Sequence, residues 1–190
     1  MTSSTYTKEE LLSQGVITGK NVQVHRSVLF FGGNIRLGSD VRIDCHCVVT
    51  SKSPVVLGSN IHLAAGVYIY GSSGVTLEDY VGVSSRCVIF TTSDDYSGGY
   101  LTNPTIPDGF RKVYAAPVLI QKHVVIGCGS IIMPGVTLHQ GSSIGALSYV
   151  NKSVPPNMIV SGHPLRKIGT RNASLLKQLE IEYENQRRHS

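Results

Sequence analysis

Aliphatic residues recur every six positions along most of this chain, and that period restricts the fold more than any other feature. They stand at Leu37, Ile43 and Val49, at Leu57, Leu63 and Ile69, and at Leu77, Val83 and Ile89. After a gap they resume at Ile120, Ile126, Ile132, Leu138, Ile144 and Val150. Two residues before each lies a second small or apolar residue, such as Ile35, Val41 and Cys47 in the first coil or Val75, Val81 and Cys87 in the third. An apolar pair at i and i+2 puts both side chains on one face of a strand. The following residues are often Gly, Ser, Asp or Asn, as in Gly38-Ser39-Asp40, and they turn the chain. A helix does not fit, because its period is 3.6, and turns this frequent exclude a plain sandwich. Short parallel strands stacked coil on coil into a prism satisfy the pattern and bury one continuous core. The first three coils advance by 20 residues (Leu37, Leu57, Leu77), so each carries two residues beyond three units of six, placed at one corner as in Lys52-Ser53 and Ser72-Ser73.

Composition agrees with such a prism. Only 15% of residues are charged, against about 25% in ordinary domains, and glycine numbers 20. With 41% hydrophobic residues the chain is not disordered. No apolar stretch approaches the ~18 residues of a membrane span. The start, Met1 to Thr5 and then Lys8-Glu9-Glu10, lacks the apolar core of a signal peptide. Four cysteines are too few for a disulfide framework, so a cytoplasmic location is expected.

The repeat resembles the hexapeptide-repeat family. That resemblance implies an all-β, left-handed parallel β-helix over residues 22–154, and the handedness comes from the resemblance alone. Residues 1–21 are expected to form an N-terminal helical cap, with Thr7 capping Lys8-Glu9-Glu10-Leu11-Leu12. Residues 155–190 form a C-terminal tail and helix, with Asn172 as its N-cap and Leu175, Leu176 and Leu179 on one face. Members of the family often assemble as trimers with active sites between subunits.

Ile89 and Ile120 are 31 residues apart where the repeat wants six, so 25 residues leave the coil as an excursion within 90–117. Long irregular loops on rigid scaffolds carry function. This one holds Asp94-Asp95, Tyr96, Tyr100, Tyr114 and Arg111-Lys112. Residues 90–168 resemble sugar acetyltransferases of the maltose/galactoside type and relatives acting on surface polysaccharides or nucleotide-linked amino sugars. There the loop often supplies a histidine general base. Here no histidine lies between His62 and His123, and Ser93-Asp94-Asp95-Tyr96 takes its place. A carboxylate serves as base if burial or an acidic neighbour raises its pKa. Asp94 and Asp95 are therefore the catalytic candidates, together with His123, which follows the loop directly. His62, with His46, Arg86, Tyr96 and Tyr100, are candidates for contacting the acceptor, the histidines from a neighbouring subunit. His25, His139 and His189 read as surface positions.

A zinc site of the carbonic-anhydrase kind on this scaffold needs three converging imidazoles. The seven histidines include no pair within ten residues, so no metal is expected.

The net charge of +5 is unevenly spread. Residues 109–179 contain no acid and eight bases, leaving −3 for the rest. A uniformly cationic segment suits a polyanionic ligand. No motif points to nucleic acid. The order Gly145-Ala146-x-Ser148…Lys152…Gly162-His163-Pro164-Leu165-Arg166-Lys167 resembles the family's closing pattern, with Leu165 where a small residue is usual. The resemblance implies acetyl-CoA as co-substrate, with Gly145, Ala146 and Ser148 beside the pantetheine and Lys152, Pro164, Arg166 and Lys167 near the phosphates. The expected activity is acetyl transfer to a hydroxyl or amino group of a sugar or nucleotide-linked sugar. The alternatives are a non-catalytic trimeric scaffold and a carbonic-anhydrase-like metal enzyme.

Overall fold

The structure, a computed structural model, describes residues 4–188, so His189 lies outside the described residues. Three parallel sheets form the walls of a triangular prism. Sheet one stacks Val16–Thr18, Ile35–Leu37, Val55–Leu57, Val75–Leu77, Val118–Ile120 and Thr137–Leu138. Sheet two runs from Gln23–Val24 through Val41–Ile43, Ile61–Leu63, Gly82–Val83, Val125–Ile126 and Ser143–Ile144 to Met158–Ser161. Sheet three stacks Leu29–Phe31, Val48–Ser51, Tyr68–Gly71, Val88–Phe90, Ile131–Ile132 and Tyr149–Val150.

The register follows the repeat. Ile35 pairs with Val55 and Val55 with Val75, each 20 residues on, whereas Ile120 pairs with Leu138, 18 on. The inward i and i+2 side chains are buried, including Cys47 and Cys87, and burial pushes both thiols above their ordinary pKa. Each fully buried aliphatic side chain contributes about 1.5–3 kcal/mol relative to an exposed one. Gly32 has φ +96° and lies so close to the Ser51 carbonyl that a Cβ would overlap it, which requires glycine there.

The turns form columns of left-handed backbone. Asn21, Asp40, Asn60, Tyr80, His123, Gly141 and Asn157 all have positive φ at the corner between sheets one and two. His46, Gly66, Arg86, Gly129 and Leu147 do so between sheets two and three. The excursion interrupts the third corner. Thr92–Asp94 leaves sheet three and pairs antiparallel with Val113–Ala115, which returns to sheet one.

The coil is longer than the repeat suggests. Val16–Thr18 already pairs with Ile35–Leu37, inside the expected cap, and Met158–Ser161 pairs with Ser143–Ile144 inside the expected tail. These rungs escape a search for aliphatic pairs because Thr18 and Met158 occupy repeat positions. Helix α1, Lys8–Ser13, carries the Thr7/Glu10 capping box and buries Leu11 over the first coil. At the other end Arg166–Thr170 folds back antiparallel on Met158–Ser161 and covers the edge of sheet two. Helix α2, Ala173–Arg188, then runs back along the corner between sheets one and two. Asn172 caps it through a 3.1 Å bond from the Leu175 N–H to its Oδ1.

Candidate active-site groove

Sheet three differs from the other two in its outward face. Sheet two presents Arg42, His62 and Ser143 outward, alternating with the buried core. Sheet three presents a column of Leu29, Val48, Tyr68, Val88, Ile131 and Tyr149, in register from strand to strand. Beside it run Phe31, Thr50, Tyr70 and Phe90. A strand apolar on both faces is built to be covered on both.

The excursion covers the middle of this face and encloses a cleft of about 570 Å3. Its floor is Tyr70, Phe90, Ile131, Met133 and Tyr149, and its wall includes Asp94, Tyr96, Arg111 and Val113. A second hollow of about 360 Å3, lined by Tyr149, Asn151, Lys152, His163, Pro164 and Leu165, shares Tyr149 with the first. His163 packs on Tyr149 with ring centroids 4.9 Å apart. The two hollows meet at Tyr149, the first under the excursion and the second at the C-terminal turn. Lys152 also faces a third hollow of about 340 Å3 with Lys167.

The adjacent aspartates are in different situations. Asp94 lines the cleft, and its Oδ2 accepts the Asn103 N–H at 3.2 Å. Asp95 closes a turn instead: the Ser97 N–H donates to Oδ1 at 3.1 Å and the Ser97 hydroxyl to Oδ2 at 2.8 Å. Those bonds, the backbone one foremost, hold its carboxyl below the ordinary value, so the upward push expected from an acidic neighbour is not what Asp95 shows. Arg111 is held by Asp108 through Nε and Nη2 at 2.9 and 2.6 Å.

His123 is not brought to Asp94 within the chain. It occupies the left-handed column between sheets one and two, a conformation in which His, Asn and Asp are enriched. There it is 9% exposed, stacked on Tyr80 at 4.8 Å and 9°, with Nε2 2.8 Å from Glu180 of α2. Lys122 Nζ reaches the same carboxylate at 2.5 Å. The Lys122 bond, more than that of His123, holds Glu180 low, and the same bond raises Lys122. Tyr80 bonds Glu184, and burial foremost pushes its phenol up. Arg171 donates to the His123 carbonyl at 2.6 Å. This cluster fastens the C-terminal segment to the prism, at a corner other than the one the excursion leaves from.

His62 stands on sheet two, with Nε2 2.8 Å from Asp44 Oδ2, and Arg42 Nε bonds Oδ1 at 2.8 Å. Burial alone would raise the Asp44 carboxyl, but these two bonds outweigh it and keep it low. Arg86 is exposed at the corner where sheet two meets sheet three. Tyr96 lines the cleft, whereas Tyr100 lies beyond it under Lys112, whose Nζ is 5.6 Å from the ring.

Among the cofactor candidates, Lys152 and Pro164 line the groove and Lys167 the adjoining hollow, while Arg166 lines none of these. Gly145 and Ser148 have roles within the coil. A Cβ on Gly145 would collide with Ser161 of the next coil. Ser148 is buried, donates to the Gly145 carbonyl at 2.6 Å and accepts the Gly162 N–H at 3.0 Å. Ala146 is exposed at the corner beside them. Among the described residues no group of three His, Cys, Asp or Glu is placed to hold a metal ion. Sequence reasoning missed Tyr70, Phe90, Ile131, Met133 and Tyr149. The available signal was the position flanking each inward aliphatic of the third unit, which is apolar in nearly every coil.

No family model matches the chain. A dTDP-4-amino-4,6-dideoxy-D-glucose acyltransferase of Escherichia coli is 38% identical over 161 residues, 84% of either chain. WbbJ of Escherichia coli K12, named for O-acetyl transfer in lipopolysaccharide biosynthesis, is 25% identical over 73% of this chain and 69% of its own. A single-residue variant of AntD, an N-acyltransferase from Bacillus cereus solved with dTDP-4-amino-4,6-dideoxyglucose and coenzyme A, superposes with a TM-score of 0.92 at 35% identity, over 98% of this chain and 100% of that one.

Proposed function

The chain belongs to the hexapeptide-repeat, left-handed β-helix sugar acyltransferases, and from that premise we propose that it transfers an acetyl group from acetyl-CoA to the amino group of a nucleotide-linked deoxy amino sugar. The observation that carries this reading is the pair of hollows on sheet three that meet at Tyr149, read as one groove. It has Asp94 under the excursion at one end and Lys152 with Pro164 at the other, a layout for a donor lying along the axis and an acceptor meeting it at Asp94.

In this reading the cationic C-terminal turn binds the CoA phosphates, with Lys152, Arg166 and Lys167 supplying charge. Pantetheine passes Tyr149 toward the excursion. The acceptor nitrogen attacks the thioester carbonyl, a backbone N–H stabilises the oxyanion, and Asp94 takes the proton released from nitrogen. The C–S bond then breaks, the leaving sulfur takes up the proton held on Asp94, and CoA departs as the thiol with the carboxylate restored. Asp94 is preferred to Asp95 because it faces the cleft and is not tied into a serine turn.

We propose a homotrimer in which a neighbouring subunit's sheet two completes the groove and brings His62 and Arg86, which do not face Asp94 within one chain, to the acceptor. The same proposal places the enzyme in the cytoplasm, forming an acylated monomer for surface-polysaccharide synthesis. Among the described residues no helix is long and apolar enough to cross a membrane.

The test is release of free thiol from acetyl-CoA across a panel of nucleotide-linked amino sugars and simple glycosides. Release with an amino sugar supports the proposal. Release only with hydroxyl acceptors replaces it with O-acetylation, and a protein that neither turns over nor melts higher with CoA is a scaffold.

A further inference from the structure

Above the excursion, sheet three carries aromatic rings that acyl transfer itself does not use. Tyr68 and Tyr70 lie two residues apart on one strand, so both rings project from the same face. Their centroids are 6.3 Å apart, and Tyr70 stacks on Phe90 at 5.2 Å and 13°. Each tyrosine is 36% exposed, on the side of the sheet away from the core. Thr50, in register with Tyr70 on the next strand, and Ser72, on the cleft wall, add hydroxyls around them.

Strand order gives these rings a direction. The strand of Phe90 lies between that of Tyr68 and Tyr70 on one side and those of Ile131 and Tyr149 on the other. In the reading proposed above, the donor reaches the cleft from the Tyr149 side, past the hollow lined by Lys152 and Pro164. Tyr70 lines the cleft and Tyr68 lies outside it, so the rings lead out of the cleft on the side opposite the donor. Within one chain, an acceptor confined to the cleft would leave Tyr68 uncovered. An acceptor whose sugar lies at Asp94 and whose far end, beyond a linking diphosphate and ribose, is a flat heterocycle would cover it.

We propose that Tyr68 and Tyr70 form a stacking platform for the base of a nucleoside-diphosphate-linked acceptor. The inference rests on the reading of the groove as an acyl-CoA-dependent site. Stacking accepts any base, because every base has a π-face, so this platform selects nucleotide-linked over free sugars without selecting among bases.

Calorimetric titration of the full chain with dTDP, and separately with inorganic pyrophosphate, tests this. Tyr68→Leu and Tyr70→Leu keep apolar volume but remove the flat ring. Each is expected to weaken dTDP binding at least about fivefold, with pyrophosphate binding the same in all forms. Tyr70→Phe is expected to keep dTDP affinity within about twofold. Unchanged dTDP affinity in Leu variants that melt like the wild type overturns the platform. So does a loss of oligomer mass in sedimentation, which makes the face a contact between copies. If the wild type releases no thiol with any amino-sugar acceptor, the acyl-transfer reading itself fails; normal turnover with unaltered dTDP affinity removes the platform alone.

Discussion

The Asp95 carboxylate is closed on both oxygens by Ser97, with the backbone N–H at 3.1 Å and the hydroxyl at 2.8 Å, while Asp94 beside it faces the groove. Asp94 ends the strand Thr92–Asp94, and Asp95 lies just past it, where Ser97 closes a turn. One carboxylate therefore serves the turn and the other the cleft.

Replacing the two should have unequal effects. Asp94→Asn is expected to lower kcat with a sugar acceptor by about 10²–10⁴-fold, the range of a lost general base, with KM for acetyl-CoA little changed. Asp95→Asn should retain kcat within a few-fold and lower the melting temperature slightly, because its turn loses a charge-assisted acceptor. Steady-state kinetics of both variants check this.

Arg166→Ala should raise KM for acetyl-CoA without altering KM for the acceptor. The effect should shrink as salt rises from low ionic strength toward physiological, where the screening length falls to about 8 Å. An unchanged KM at low salt removes Arg166 from the phosphate site.

The Glu180 cluster predicts a pH-dependent anchor for α2. Its folded pKa lies below the ordinary value of 4.5, so its contribution is present above that value and is lost as pH falls through the folded pKa. Glu180→Gln should cost about 1 kcal/mol near neutrality, discounted for partial exposure, or about 2–4 °C in Tm. Wild type and variant should converge as pH falls below 4.5 and through the lowered folded pKa, which thermal melts across pH would show.

Gly145→Ala should destabilise by about 1–3 kcal/mol through overlap with Ser161. Adding Ser161→Gly should restore most of it. If KM for acetyl-CoA returns to the wild-type value with stability, Gly145 acts through packing; if KM stays high in the restored double variant, Gly145 also lies against the cofactor.

The prism was legible because its period is a property of the sequence. Leu57, Leu77 and Ile120 are inward in the structure as the spacing requires, and even Cys47 and Cys87 follow it. The excursion was legible as a break in that period. The groove was legible only in part. Lys152 and Pro164 were found through an ordered motif, but Tyr70, Phe90 and Tyr149 converge across coils tens of residues apart, and a search for inward aliphatics passes over their outward positions. His123 follows the loop in sequence, yet a turn of the coil carries it to another corner. Sequence adjacency on a prism does not imply a shared face. The split between Asp94 and Asp95 depends on which turn Ser97 closes, and composition does not encode that.

Mass spectrometry of the product tests the central claim most directly. Purified protein, acetyl-CoA and a dTDP-linked amino sugar should yield free CoA and an N-acetylated nucleotide sugar in equal amounts, and Asp94→Asn should slow both together. Absence of acetylated product with the folded wild type, across nucleotide-linked amino sugars, would contradict it.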